Sequence, residues 1–206
     1  PGKKGYIELL EGGKHELLDV VFPVLHGPFG EDGTIQGLFE MANIPYVGAG
    51  VLASSLAMDK LMTKAVLDEA GIPVVPYIGI NRNAYIKEPG LVLERITTEI
   101  GFPCFVKPAN LGSSVGISKV KKFSELAPAL EEALKYDRRV LAEKGINARE
   151  IEVAVLGNDD ATASCCGEII VGGEFYDYND KYVDGKSTTV APADLHKDVS
   201  DRIREM

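Results

Sequence analysis

The chain has 206 residues, 45% hydrophobic and 26% charged, enough for one large or two modest globular domains. Its formal net charge of −9 and pI near 4.9 exclude a general binder of nucleic acid or membrane surfaces, which needs a positive face to meet phosphate. No apolar run approaches the ~18 residues of a membrane span, and the opening PGKKGYIELLEGG lacks a secretory core and cleavage signal, so a cytoplasmic location is expected.

In chain order, residues 19–25 (DVVFPVL) read as a buried strand, 26–33 as a loop and 34–43 as a helix, together an α/β unit. The loop His26-Gly27-Pro28-Phe29-Gly30-Glu31-Asp32-Gly33, followed by Gln36 and Gly37, sets four glycines in twelve residues around one histidine. It falls at the carboxyl end of the predicted strand, where open α/β proteins bind ligands, and His26 there can donate to a carboxylate or phosphate. A histidine packed against the turn it caps is the alternative. Residues 59–70 have helical spacing, with Leu61 and Ala65 on one line, Met62, Val66 and Ala70 on the next, and Gly71 as the stop. Lys60 opens that helix, where the macrodipole disfavours a cation unless an anion is near. A strand at 74–80 and a helix at 91–100 follow.

The segment FVKPANLGSSVG, 105–116, carries the strongest chemical signal. The apolar run 102–106 delivers Lys107 to a strand end, and Gly112 and Gly116 let the following backbone turn amides towards an anion. Ser113 and Ser114 add hydroxyl donors, so the loop has the parts of a phosphate grip; a plain Ser/Gly turn is the alternative. Ser124 is expected to cap a helix with Leu126, Leu130 and Leu134 on one face. From Arg139 the pattern becomes VLAEK, IEVAVLG and EIIVGG, with Ile151, Val153 and Val155 on one face, as antiparallel strands with one face on a core require.

Glu143 and Lys144 follow a strand directly, and Glu143 can accept from a purine amino group or a ribose hydroxyl; a surface ion pair is the commoner reading of such neighbours. Residues 175–190 (FYDYNDKYVDGKSTTV) are too long for a hairpin turn and suit a covering loop that holds Lys181, and a helix is expected near 194–205. Gly185-Lys186-Ser187 imitates the end of a phosphate loop without its leading glycine or strand, and Asp177, Asp180 and Asp184 lack the spacing of a calcium loop. Cys104, Cys165 and Cys166 form no disulfide framework and read as small buried apolar residues.

Taken together and in this order, LHGPFGEDGTIQG, the SxAMDK around Lys60, VKPxxxGSSVG and FYDYNDKY resemble the D-alanine:D-alanine ligases of the ATP-grasp superfamily, over residues 19–182. The resemblance implies a mixed α/β and α+β fold in which ATP lies between two lobes. Residues 1–48 would be a partial, Rossmann-like substrate domain, 49–142 the central lobe, and 143–206 part of the carboxy-terminal lobe with an ω-loop. By the same resemblance Lys60 and Lys107 bind the α- and β-phosphates, Ser114 and its loop amides the β-phosphate, and Lys181 lies nearer the γ-phosphate. Glu143, the backbone of Lys144 and Ile146, and Glu150 hold adenine and ribose. His26 contacts the first D-alanine, while Ser113 pairs with Tyr182 to close the ω-loop.

The activity so implied is ATP-dependent synthesis of D-alanyl-D-alanine for peptidoglycan through an acyl phosphate, by a cytoplasmic homodimer with no nucleic-acid or membrane partner. A D-alanine:D-lactate ligase and a non-catalytic nucleotide-binding domain are the rival readings; Tyr182 directly after Lys181 disfavours lactate. Family members also carry an amino-terminal Gly-rich strand with a glutamate, and a later Arg, Asp and Glu-x-Asn that bind Mg²⁺. Their absence leads us to expect part of a longer polypeptide, inactive by itself, with its Mg²⁺ ligands beyond Met206.

Overall fold

Period-two alternation organises the centre of this molecule, and its failure organises the start. The structure, a computed structural model, describes residues 6–8, 15–171 and 187–206. A short antiparallel pair, Tyr6–Glu8 (β1) and His15–Leu17 (β2), comes first. Residues 19–25, expected as a buried strand, form none. A single parallel bridge joins Val21 to Tyr46, with Val21 N donating to Pro45 O at 2.8 Å and Val47 N to Val21 O at 2.9 Å. No described strand flanks the segment further, so Val20, Phe22, Val24 and Leu25 are exposed; an apolar run is buried only where other elements cover it.

Helix α1, Thr34–Ala42, ends as expected, on Asn43 in the left-handed region at φ 53°. Helix α2, Val51–Met58, was not foreseen, because VLASSLAM is apolar around most of its circumference and shows no stripe. Helix α3, Lys60–Glu69, starts at Asp59, whose carboxylate accepts from Leu61 N at 3.1 Å and Met62 N at 3.2 Å. Of its two expected apolar lines, the one through Met62 and Val66 is exposed. Leu61 of the other line does face the protein, so close to Gly79 that a Cβ there would sit 3.2 Å from Leu61 Cδ2.

Strand β3 is Tyr77–Asn81, followed by helices α4, Arg82–Lys87, and α5, Pro89–Glu99. Strands β4, Cys104–Pro108, and β5, Ser118–Val120, precede helix α6, Leu126–Tyr136, and strand β6, Arg139–Lys144. The four strands make one antiparallel sheet in the order β3-β6-β4-β5. One face of it is dry: Ile78, Ile80, Cys104, Val106, Val120, Val140 and Ala142 pack with Ile96 of α5 and with Leu126, Leu130 and Leu134 of α6. The leucine stripe read from the sequence is thus the core face, but Ser124 does not cap it. A 3₁₀ turn, Phe123–Glu125, absorbs that residue.

Beyond β6, strand β7, Glu150–Glu152, pairs with β10, Gly167–Ile170, which pairs with β11, Thr188–Val190. Val155 does not continue the β7 face. It belongs to β8, Val155–Leu156, which pairs with β9, Thr162–Ala163, and it is exposed. Helix α7, Lys197–Glu205, comes last. Cys104 and Cys166 are buried as expected, whereas Cys165 is exposed because its neighbour takes the inward position. Among the described residues no helix is long and apolar enough to cross a membrane.

Candidate active site

The second face of the central sheet is built from the same strands by the same alternation, and it is polar. Strand pairing places Tyr77, Glu143, Phe105 and Lys119 in one row across β3, β6, β4 and β5, and Gly79, Leu141 and Lys107 in the next. Lys107 reaches diagonally to donate to Glu143 Oε1, with its Nζ 5.3 Å from the Phe105 ring centroid. Lys64 of α3 takes the other oxygen, Nζ to Oε2 at 3.1 Å, and lies 5.2 Å from the Tyr77 centroid. Burial alone pushes the Glu143 carboxyl up, but the Lys107 and Lys64 ammoniums hold it below the usual carboxylate range.

Lys60 closes the group. Its Nζ donates to the carbonyl oxygens of Pro108 at 3.2 Å and Leu111 at 2.5 Å, so carbonyl dipoles at the end of β4 offset part of its cost at a helix start. Burial first, and the charge of Lys107 second, pull its pKa down to about 8. Asp59 is buried, caps α3 and forms an ion pair with Arg139 of β6. Lys60 N donates to Ala109 O at 2.8 Å, and Asn110 N donates to Asp137 Oδ2 at 2.9 Å. Helix start and strand end are therefore laced together.

The serine-glycine loop leaves this strand end. Ser113 and Ser114 are both left-handed, at φ 52° and 58°, and Gly116 at 70°, a conformation that costs non-glycine residues about 1–2 kcal/mol each. Val115 N is engaged by Gly112 O at 3.2 Å and Ile117 N by Ser114 O at 3.4 Å, so those two amides serve the turn itself. A Cβ on Gly112 would lie 3.6 Å from Gly27 Cα; the glycines bring this loop and the His26 loop into contact. In the latter, His26 is exposed and Gly27 N donates to Glu31 Oε2 at 2.5 Å. Burial pushes the Asp32 carboxyl up, but hydrogen bonds headed by the Phe29 amide bring it below its ordinary value.

Of the residues singled out in the sequence, Lys60, Lys107 and Glu143 converge, and Ser113, Ser114 and His26 lie on the two touching loops. Lys144 points elsewhere: its Nζ donates to Ile100 O at 3.1 Å and its N to Pro76 O at 2.9 Å, so Glu143 and Lys144 are not an ion pair. Ile146 and Glu150 are exposed beyond β6. Lys181, Tyr182, Lys186 and the acidic run from Asp177 to Asp184 lie outside the described residues. Sequence reading missed Lys64, Asp59 and Arg139. The signal for Lys64 was its place one turn after Lys60, on one helix face. Among the described residues no three His, Cys, Asp or Glu side chains are grouped to hold a metal ion; these residues do not make up the Mg²⁺ site that the resemblance implies. What the group can do is receive an anion, with three lysines gathered around one carboxylate.

Two family models match this chain: D-ala D-ala ligase C-terminus over residues 66–206 and D-ala D-ala ligase N-terminus over residues 4–49. It is 51% identical over 195 residues to a D-alanine–D-alanine ligase of Geobacillus kaustophilus, covering 95% of this chain and 53% of the relative. The corresponding protein of Staphylococcus haemolyticus is 50% identical over 200 residues, covering 97% and 56%. The chain thus spans about half the length of the curated relatives it matches. Among solved structures, the VanG D-Ala:D-Ser ligase of Enterococcus faecalis superposes with a TM-score of 0.81 at 38% identity, covering 93% of this chain and 55% of that one. The D-alanine-D-alanine ligase of Coxiella burnetii gives 0.76 at 39%, covering 93% and 50%. These likenesses bear out the ATP-grasp architecture.

Proposed function

Because the chain belongs to the D-alanine–D-alanine ligase family, we propose that the full-length protein joins two D-alanines at the expense of ATP, for peptidoglycan synthesis in the cytoplasm. The observation that carries this reading is the meeting of Lys60 and Lys107 at the end of β4, beside the left-handed loop of Ser113 and Ser114. Cations and donors so grouped suit a polyphosphate.

In this reading Lys60 and Lys107 take the α- and β-phosphates, and Ser114 the β-phosphate with Lys181 beyond it. Lys107 must leave Glu143 to do so. Glu143, the backbone of Lys144 and Ile146, and Glu150 receive adenine and ribose. His26 meets the first D-alanine, whose carboxylate takes the γ-phosphoryl group as ADP leaves. The amine of the second D-alanine then attacks that acyl phosphate, and phosphate departs from a tetrahedral intermediate. Ser113 and Tyr182 close the site so that water does not reach the acyl phosphate. Mg²⁺, when bound, neutralises charge on the transferring phosphates. A homodimer with residues 1–48, 49–142 and 143–206 as successive units belongs to the same proposal. The Enterococcus protein is a D-Ala:D-Ser ligase by name; relatives 51% and 54% identical to this chain are D-alanine–D-alanine ligases by name, which supports D-alanine here.

The test is the full-length protein with ATP, Mg²⁺ and D-alanine, followed for ADP and dipeptide. Equal amounts of the two are expected, with D-serine and D-lactate poor second substrates. Lys107→Ala should weaken ATP binding by ~2–4 kcal/mol, the value of a desolvated charge-assisted contact. ADP release indifferent to D-alanine would refute the reading.

A further inference from the structure

One cation of the cluster has no part in that scheme. Lys64 lies 3.1 Å from Glu143 Oε2, 3.5 Å from the Val75 carbonyl oxygen and 5.2 Å from the Tyr77 ring centroid. The pair is nearly dry, its side chains 15% and 12% exposed. Strand pairing sets Tyr77 and Phe105 on either side of Glu143, and a lysine stands over each ring. One carboxylate is thus held between two aromatic rings and two ammoniums. The two ammoniums differ in what else they face: Lys107 feels the charge of Lys60 and stands at the end of the strand that runs into the serine loop, while Lys64 adjoins only the carboxylate, a carbonyl and a ring among its described contacts.

An anion arriving at the strand end therefore draws Lys107 away from Glu143 and leaves Lys64 behind. We infer that Lys64 is a positioning residue that keeps the Glu143 carboxylate ionised and in place while Lys107 is engaged by nucleotide phosphate, and so fixes the preference for a 6-amino purine. An ionised carboxylate only accepts hydrogen bonds. It takes the amino group of adenine and repels the 6-oxo group of hypoxanthine, whereas a protonated carboxyl can donate to the oxo group and discriminates poorly. The groups facing Glu143 are Lys60 and Lys64 from α3, Lys107 from β4 and Tyr77 from β3. Lys60 is a weak substitute, since carbonyls hold its ammonium and burial favours its neutral form. Without Lys64, burial would push the Glu143 carboxyl up once phosphate holds Lys107.

The inference rests on the nucleotide reading of this site, and binding calorimetry of full-length variants separates the two. Wild-type affinity for ATP should be nearly flat between about pH 5.5 and 7.5, and ITP should bind far less tightly. In Lys64→Met, ATP affinity should fall about tenfold from pH 7.5 to 5.5, the weight of one pKa unit, and the ATP-to-ITP ratio should drop by a similar factor. Lys64→Arg should restore both. A Lys64→Met protein with wild-type pH dependence and purine ratio, whatever its overall affinity, overturns the inference alone. If Lys107→Met and Glu143→Gln bind ATP as the wild type does, the nucleotide reading itself falls, and this inference with it. Should Lys64→Met not fold, the carbon-13 carboxyl resonance of Glu143 in the wild type decides. Remaining ionised with a non-hydrolysable ATP analogue over the same range supports the role of Lys64; protonation on nucleotide binding overturns it.

Discussion

The central sheet and residues 18–50 are about equally apolar to the eye, yet they fold in opposite ways. In the sheet, Val106, Val120, Val140 and Leu141 are wholly buried, while Val20, Phe22, Val24 and Leu25 stand in solvent. The difference is partners. Each inner strand of the sheet has two neighbours and a helix over one face, whereas Val21 has one bridge. Hydrophobicity marks what wants covering; whether it becomes a strand depends on what is there to cover it.

Three measurements break or sharpen this contrast. The largest effect is expected from Leu130→Ala, a fully buried site on α6, which should lose about 2–5 kcal/mol in urea denaturation. Phe22→Ala in the same 206-residue chain should stay within about 0.5 kcal/mol; similar losses would erase the distinction. Next come two left-handed glycines. At Gly116, φ 70°, a Cβ would stand 2.7 Å from Tyr136 Cδ2 and 2.9 Å from Pro108 Cγ, so Gly116→Ala should lose about 1–3 kcal/mol or more. At Gly27, also φ 70°, nothing lies within 4 Å of the added atom, and the loss should be about 1 kcal/mol. Equal melting temperatures for the two variants would count against the packed setting of the serine loop.

The smallest effect is a titration at the end of the central sheet. Lys60 has its pKa lowered to about 8, so ATP affinity of the full-length protein should fall as pH rises through about 8, by up to tenfold per unit. Stability should move the other way. The unfolded chain holds that proton up to the ordinary 10.5, so between the two values the unfolded state binds more protons and folding gains as pH rises. Lys60→Met should flatten both curves; an unaltered affinity profile would take Lys60 out of the phosphate grip.

How far the sequence reached depended on which residues faced inward. The leucines of α6 gave a true stripe because their neighbours are all apolar. On α3 the pattern misled, since the inward face carries Lys60 and Lys64 and the outward one Met62 and Val66; periodicity finds oil, and this face is salt. Lys107 and Glu143 were legible from their places at strand ends. Their partnership was not, because it arises from strand pairing of residues 36 positions apart. Asp59 and Arg139 meet across 80 positions, with no local trace of either role. The helix cap at Ser124 failed for a smaller reason, a single 3₁₀ turn inserted before α6.

The strand order β3-β6-β4-β5 sets a schedule for synthesis. Strand β6 is the last of the four to leave the ribosome, yet it lies between two that emerge before it. Until Arg139–Lys144 has been made, β3 has no partner within the sheet and Asp59 on the start of α3 has no Arg139. The early chain can wind its helices and pair β4 with β5, contacts of short span, but the long loop must close before the rest forms. The carboxylate that gathers Lys64 and Lys107 is thus a late arrival: a nascent chain short of Glu143 has neither ion pair, and the row Tyr77, Glu143, Phe105 forms only when β6 enters between its neighbours.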